Sequence, residues 1–230
     1  SDVAAISIWG TSNQVRRWLG DGTGGFLAPS QFPVGMAPAH MTASDLNSDG
    51  RPDLAVANQN DGNVSILLGD ASGSFGSASN FAVGTDPKRV AVADFNGDGA
   101  ADLAMTTYPA NSIAILLGSG TGSFDAPTSV AVPGPPTSVA AADLNGDGKP
   151  DLAVTHGSSV SVSLGDGTGA FQSAGALVIG DDATFSASCV VVADFNLDGK
   201  QDLAVSNSAW TGSAALAVLL GTGTGSFGTV

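Results

Sequence analysis

There is no glutamate in this sequence: all 21 acidic residues among its 230 are aspartate. Glutamate favours helices, whereas aspartate favours turns, caps and metal loops, so the absence argues against an α-helical protein. Cysteine is nearly absent as well. The one thiol, Cys189, excludes an internal disulfide framework, and its place in the apolar run Cys189-Val190-Val191-Val192 predicts a buried, inert side chain. Basic residues number seven against 21 Asp, and the net charge of −14 argues against a nucleic-acid partner, whose binders carry basic stripes. No apolar run reaches the roughly 20 residues of a membrane helix, so membrane insertion is not expected. The sequence does not open on a basic stretch followed by an apolar segment, so the chain is expected to be either cytosolic or the mature form of an exported protein.

What is present is turn chemistry and strand formers: 32 Gly and 11 Pro alongside many Val, Thr and Ser, with 43% apolar residues. That is enough apolar material for one domain with a sizeable core. The material is arranged in repeats. Four loops share one pattern: Asp45-Leu46-Asn47-Ser48-Asp49-Gly50-Arg51-Pro52-Asp53, then Asp94-Phe95-Asn96-Gly97-Asp98-Gly99-Ala100-Ala101-Asp102. The third is Asp143-Leu144-Asn145-Gly146-Asp147-Gly148-Lys149-Pro150-Asp151 and the fourth Asp194-Phe195-Asn196-Leu197-Asp198-Gly199-Lys200-Gln201-Asp202. Their first Asp residues are 49, 49 and 51 positions apart. A second marker, Leu-Gly followed by a Gly-rich turn and Phe, runs from Leu68 to Phe75, Leu117 to Phe124, Leu164 to Phe171 and Leu220 to Phe227. An extra copy spans Leu19 to Phe26, and Asp2-Val3-Ala4-Ala5 aligns with Asp53-Leu54-Ala55-Val56.

Each repeat reads as four short strands, A to D, with the Asp loop between A and B. Four antiparallel strands in about 49 residues, repeated without helices, predict an all-β protein, a β-propeller of four-stranded blades. A sandwich would not require such fidelity of repeat. The blades are expected at about 1–35, 36–84, 85–133, 134–180 and 181–230, in one domain. The first would hold only strands B to D and the last only A to C. Such a chain either closes as a small five-bladed ring or is part of something longer that completes itself with another chain through exposed strand edges.

The loops carry metal-ligand chemistry. Oxygen side chains recur at positions 1, 3, 5 and 9: Asp45, Asn47, Asp49 and Asp53, then Asp94, Asn96, Asp98 and Asp102. The remaining sets are Asp143, Asn145, Asp147 and Asp151, and Asp194, Asn196, Asp198 and Asp202. The backbone carbonyl at position 7 (Arg51, Ala100, Lys149, Lys200) can complete each cage. Hard oxygens without His or Cys select calcium over zinc or copper, which predicts about four Ca²⁺ ions. A helical calcium hand needs a Glu at position 12, and here that position is Val56, Met105, Val154 or Val205. Cytosolic calcium is too low to fill millimolar sites, so the chain is expected to be secreted or displayed on a cell surface.

The Asp-x-Asn-x-Asp-Gly-x-x-Asp-Leu loop with its following Gly-x-Phe turn resembles the FG-GAP (VCBS-type) repeats of the integrin α-subunit propeller. Related bacterial surface proteins and fungal lectins use the same repeat. The resemblance covers essentially the whole chain. It implies a propeller that usually closes with seven blades, calcium in the A–B loops, and ligand binding on the opposite face.

On that face the B–C loops hold Trp9, Gln59-Asn60-Asp61, Tyr108, His156 and Trp210, and the D–A connections add His40, Lys88, Arg89 and Asp181-Asp182. Aromatic rings beside amides suit a glycan, so Trp9, Asn60, Tyr108, His156, Trp210 and His40 are the candidate ligand residues for a glycan or surface-protein partner. The alternative reading of Trp9 and Trp210 is that they plug the seam where the ring closes. Trp18 aligns with Leu67, Leu116 and Leu219 and is expected in the core; Arg17 falls in a column of Ile66, Ile115, Val162 and Val218 that should be buried. Two classes of function stand: a calcium-stabilised binding or adhesion module, or an enzyme such as a polysaccharide lyase or sugar dehydratase. Catalysis needs an acid, a base and a charge stabiliser in one pocket. With two His, one Tyr and no Glu the material is thin, and binding is expected rather than catalysis. A convergent His40–Tyr108–His156 pocket would reverse that preference.

Overall fold

The computed structural model describes residues 2–6, 13–180, 186–207 and 216–228. Among these residues there is no helix, only eighteen strands in five antiparallel sheets. The first blade is β1 (Val3–Ile6), β2 (Gln14–Trp18) and β3 (Ser30–Pro33); the second is β4 (Pro38–Ser44), β5 (Asp53–Asn58), β6 (Asn63–Leu67) and β7 (Ser79–Ala82). The third is β8 (Pro87–Ala93), β9 (Asp102–Thr107), β10 (Ser112–Leu116) and β11 (Thr128–Ala131). The fourth is β12 (Pro136–Ala142), β13 (Asp151–His156), β14 (Ser159–Gly165) and β15 (Phe171–Val178), and the fifth is β16 (Ala187–Ala193), β17 (Asp202–Asn207) and β18 (Leu216–Leu219). Within each blade the strands pair in chain order, A to D. The first strands of successive blades, β4, β8, β12 and β16, lie against one another. This is an incomplete β-propeller of five blades, the first showing strands B to D and the last A to C among the described residues, as the repeat spacing predicts.

The Asp-Leu-Ala-Val string explains how blades stack. Side chains alternate across a strand, so strand B sends successive residues into two different cores. Leu54 and Val56 of β5 pack with Val15 of the first blade, whereas Ala55 and Ala57 pack with Val90, Leu103 and Met105 of the third. The pattern recurs: Leu103 and Met105 face back, Ala104 faces forward onto Leu152 and Val154. Large side chains on one face fill the room that alanines leave on the next blade. Leu54, Leu103, Leu152 and Leu203 are all essentially solvent-free, each contributing about 2 kcal/mol of burial.

The Phe of the second marker ties neighbours at the rim. Phe75 packs edge-on against Phe32 of the preceding blade at 5.3 Å, and Phe124 against Phe81 at 5.4 Å. The turn before it approaches the preceding blade through its backbone. Gly122, Gly169 and Gly225 donate their N–H to Leu46, Phe95 and Leu144, the second residues of the preceding blades' Asp loops, at 2.9–3.0 Å. The equivalent Gly73 has no described Asp loop before it. There the Arg17 guanidinium donates to the Gly73 carbonyl and lies 5.9 Å from the Phe32 ring, which accounts for a buried cation in an otherwise aliphatic column.

Two core expectations need correction. Trp18 is half-buried, because the blade before it contributes no described packing partner, and Cys189 is half-buried on an inner strand.

Gly122 has φ +78° and a Cβ added there would lie 2.7 Å from the Leu68 side chain, whereas Gly99 has φ +85° with open space around it. Gly122→Ala therefore adds to the backbone strain a contact that the Leu68 side-chain end must move to relieve, and should cost about 1–2 kcal/mol, against about 1 kcal/mol for Gly99→Ala. Urea unfolding of the two variants measures the difference.

Candidate functional site

The two ends of the strands carry different chemistry. At one end, each A–B loop is closed by its own aspartates. Asp45 accepts from the N–H of Asp49 at 3.1 Å and of Gly50 at 2.8 Å, and Asn47 Oδ1 accepts from the same Asp49 N–H at 3.1 Å. Asp49 in turn accepts from Arg51 N–H at 2.9 Å, and Gly50 makes the sharp bend at φ +80°. The pattern repeats at Asp94, Asn96 and Asp98, at Asp143, Asn145 and Asp147, and at Asp194, Asn196 and Asp198. Position-1 and position-3 oxygens thus converge on one amide, and the donor set is oxygen throughout.

Position 9 is built differently. Asp53, Asp102, Asp151 and Asp202 are each 0% exposed. Asp53 accepts from Leu46 N–H at 2.9 Å with one oxygen and from Gly69 N–H at 2.6 Å with the other. Asp102 does the same for Phe95 and Gly118 (2.8 and 2.7 Å), Asp151 for Leu144 and Gly165 (2.9 and 2.8 Å), and Asp202 for Phe195 and Gly221 (2.9 and 2.7 Å). Even Asp2, which the repeat aligns with these four, accepts from Gly20 N–H at 3.0 Å. Each carboxylate therefore clamps its own loop to the C–D turn of the same blade, a role that the spacing alone did not signal. Burial, then the Asp98 and Asp94 charges, raises the Asp102 carboxyl above its usual range; Asp151 is raised the same way, with Asp147 and Asp143 beside it. Among the described residues no three His, Cys or Asp side chains are grouped as a ready metal cage.

At the other end the B–C and D–A loops are laced together. Gln59 and Asn60 donate N–H to the carbonyls of Ala37 and Met36, Asp61 accepts from Met36 N–H at 2.7 Å, and Tyr108 donates N–H to Thr85. Asn60 is exposed, and Tyr108, 41% exposed, has the Lys88 ammonium 4.4 Å from its ring centroid. His40 is half-buried, its Nδ1 accepting from Val90 N–H at 3.4 Å, and burial, then the Arg89 charge, lowers its pKa to about 4. His156 is turned inward: it is 8% exposed and its Nε2 lies 2.5 Å from Ser161 Oγ on β14. The expectation that His156 presents itself to a ligand is therefore corrected, since the ring satisfies a cross-strand hydroxyl instead. Trp9, Trp210, Asp181 and Asp182 lie outside the described residues. A cavity of about 310 Å³ opens here, lined by residues 37–39, Gln59, Lys88, Arg89 and Thr137. His40, Tyr108 and His156 are not among its lining residues, so the cavity does not assemble that triad.

A family model described as FG-GAP-like repeat matches residues 1–56, 45–105, 94–154 and 143–205. No curated protein matches the sequence. Among solved structures, a lectin from Agrocybe aegerita that recognises non-reducing terminal N-acetylglucosamine is similar at 19% identity and a TM-score of 0.63, over 99% of this chain and 65% of the lectin. A Lactobacillus plantarum protein is similar at 18% identity and 0.73, over 100% and 67%, and a candidate 6-phosphogluconolactonase from Bacteroides uniformis at 15% and 0.73, over 99% and 67%. The chain spans about two thirds of the length of each.

Two outcomes follow from the geometry. Asp102→Asn turns an amide N–H₂ toward a backbone donor and should destabilise the fold by about 2–4 kcal/mol, while Asp98→Asn in the exposed part of the same loop should cost less than about 1 kcal/mol; chemical denaturation without divalent ions separates them. For His40 the folded pKa, about 4, lies below the ordinary 6.5, so the unfolded chain takes up the proton first as pH falls. Stability from this group is intact above 6.5 and lost towards 4; His40→Asn, which keeps an acceptor for Val90, should show a shallower fall in melting temperature across that window.

Proposed function

This chain belongs to the FG-GAP-like repeat family, and we propose that it is a calcium-stabilised, lectin-like binding module that engages glycans on the face opposite its Asp loops. The observation that carries the reading is the division of the molecule: self-closed oxygen-rich loops at one end, and at the other a cavity at the mouth of the inner strands beside Tyr108 and Asn60. Unspent polar and aromatic groups at a concave surface are what sugar recognition uses. The failure of His40, Tyr108 and His156 to share the cavity supports binding over catalysis, since among the described lining residues no acid and base of that set meet.

The metal part of the proposal rests on donor chemistry. The side chains of positions 1 and 3 are hard oxygens already drawn round one amide, and position 5 and the position-7 carbonyl add two more oxygens, a donor set that fits calcium. The position-9 carboxylate holds the loop to its blade and contributes negative charge from beneath. Bound calcium supplies countercharge to three aspartates per loop, of which only Asp49 and Asp198 have a described cation beside them, Arg51 and Lys200, and takes the net charge from −14 to −6 with four ions. At about 2 mM free calcium and a dissociation constant of roughly 0.1 mM, each site stabilises the fold by about 1.8 kcal/mol. Only outside the cytosol is calcium that plentiful, which supports a secreted or surface setting.

Thermal melts in 2 mM CaCl₂ and in EGTA test the metal reading. A rise in melting temperature with calcium, reduced in Asp98→Asn, is the expected result; identical melts in both conditions overturn it. Glycan-array binding in calcium tests the face, with Tyr108→Ala expected to weaken any signal, and an array without signal overturns the glycan reading.

A further inference from the structure

The described lining of the cavity carries two cations and no carboxylate, unlike the Asp loops at the other end. Only seven residues of the chain are Lys or Arg, and two of them, Lys88 and Arg89, line this one cavity. They stand at a recurring distortion: every described strand A carries a β-bulge at its opening, after Pro38, Pro87, Pro136 and Ala187. Bulges re-aim side chains locally. The residues beyond the bulge in equivalent places are His40, Arg89, Ser138 and Cys189, and they meet across blades, with Ser138 Oγ 3.9 Å from Cys189 Sγ and His40 beside Arg89. This ring contains no aspartate.

Among the described residues the Arg89 guanidinium has no hydrogen bond or ion pair, and the Gln59 side-chain amide has none either, whereas the Thr137 hydroxyl is already engaged with Ala187 and Thr155. Of the described carboxylates of this face, Asp61 accepts from Met36 N–H, and Asp86 pairs through Oδ2 with Lys88 at 3.7 Å while its Oδ1 has no hydrogen-bond partner. The Asp loops are at the far end of strands seven residues long, about 23 Å away at 3.3 Å per residue, against a Debye length of about 8 Å at physiological ionic strength. Their charge does not reach this mouth.

We propose that the mouth of the inner strands is a carboxylate site, and that the glycan this face takes is an acidic one, a saccharide carrying a uronate. Arg89 offers the planar donor fork that a carboxylate fits, Lys88 balances the Asp86 charge at the rim so that it does not oppose the ligand, and the Gln59 amide donates to a ring oxygen or hydroxyl. The volume, about 310 Å³, equals roughly ten waters at about 30 Å³ each and admits one pyranose. The inference rests on the glycan-binding reading above and sharpens it.

The test is calorimetric titration of the calcium-loaded protein with methyl β-D-glucuronide, methyl β-D-glucoside and sodium acetate. The expected result is binding of the glucuronide about tenfold tighter than either the glucoside or acetate. Arg89→Gln should abolish that preference, and Lys88→Gln, a second variant at the rim, should reduce it; unchanged melting temperatures show that both are folded. Equal binding of glucuronide and glucoside overturns the carboxylate site but leaves a glycan-binding face. Acetate binding as tightly as the glucuronide overturns the saccharide half. Binding of none of the three overturns the inference, and a glycan-array signal from neutral sugars alone would then show that the wider reading survives it.

Discussion

A buried carboxylate accepting two backbone N–H groups holds each blade together, and most of what is regular in the molecule follows from it. Asp53, Asp102, Asp151 and Asp202 sit where strand B begins, out of contact with water, each spanning the loop before it and the C–D turn beside it. An ionised group in such a place is tolerable only because both oxygens are satisfied by charge-assisted hydrogen bonds. Once the loop is clamped, the carbonyl of its second residue is presented to the glycine of the next blade's turn, and the same device that closes one blade docks its successor. The burial of Leu-x-Val against alanine then proceeds on a fixed register.

This arrangement concentrates order at one end of the strands and leaves the other end free to vary. The residues of the clamped end are nearly identical from repeat to repeat. At the opposite end, equivalent places are occupied by His40, Arg89, Ser138 and Cys189, or by Asn58, Thr107, His156 and Asn207. Identical loops maintain a scaffold, and dissimilar ones are free to differ in side chain, a division of labour common where binding groups ride on a rigid frame.

Much of the fold was legible in the sequence because the repeat was read four times over. Strand order, and the three described strands of the first and last blades, B to D and A to C, all came from spacing. The Asp-Leu-Ala-Val alternation is a local consequence of strand geometry, which makes it visible without coordinates. What spacing could not reveal was which partner each polar group chooses. Position 9 reads as one more oxygen in a row of oxygens, yet its carboxylate is buried and shared between two amides. His156 reads as an unusual side chain in a recognition loop, yet Ser161 on the neighbouring strand takes its Nε2. Arg17 looks misplaced in an aliphatic column until the turn at Gly73 is beside it. The bulges that aim Arg89 into the cavity leave no mark in composition, because they are a property of pairing between strands and not of either strand alone.

The link from Gly122, Gly169 and Gly225 to the loop of the blade before connects nearest neighbours and nothing further. No repeat holds information about how many others there are. A unit duplicated in or deleted from such an array leaves every surviving joint intact, so the array can lengthen or shorten by whole modules without redesign of any one of them. The count of blades is then a matter of lineage rather than of bonding, and structural kin of different length are what this joint makes easy to produce.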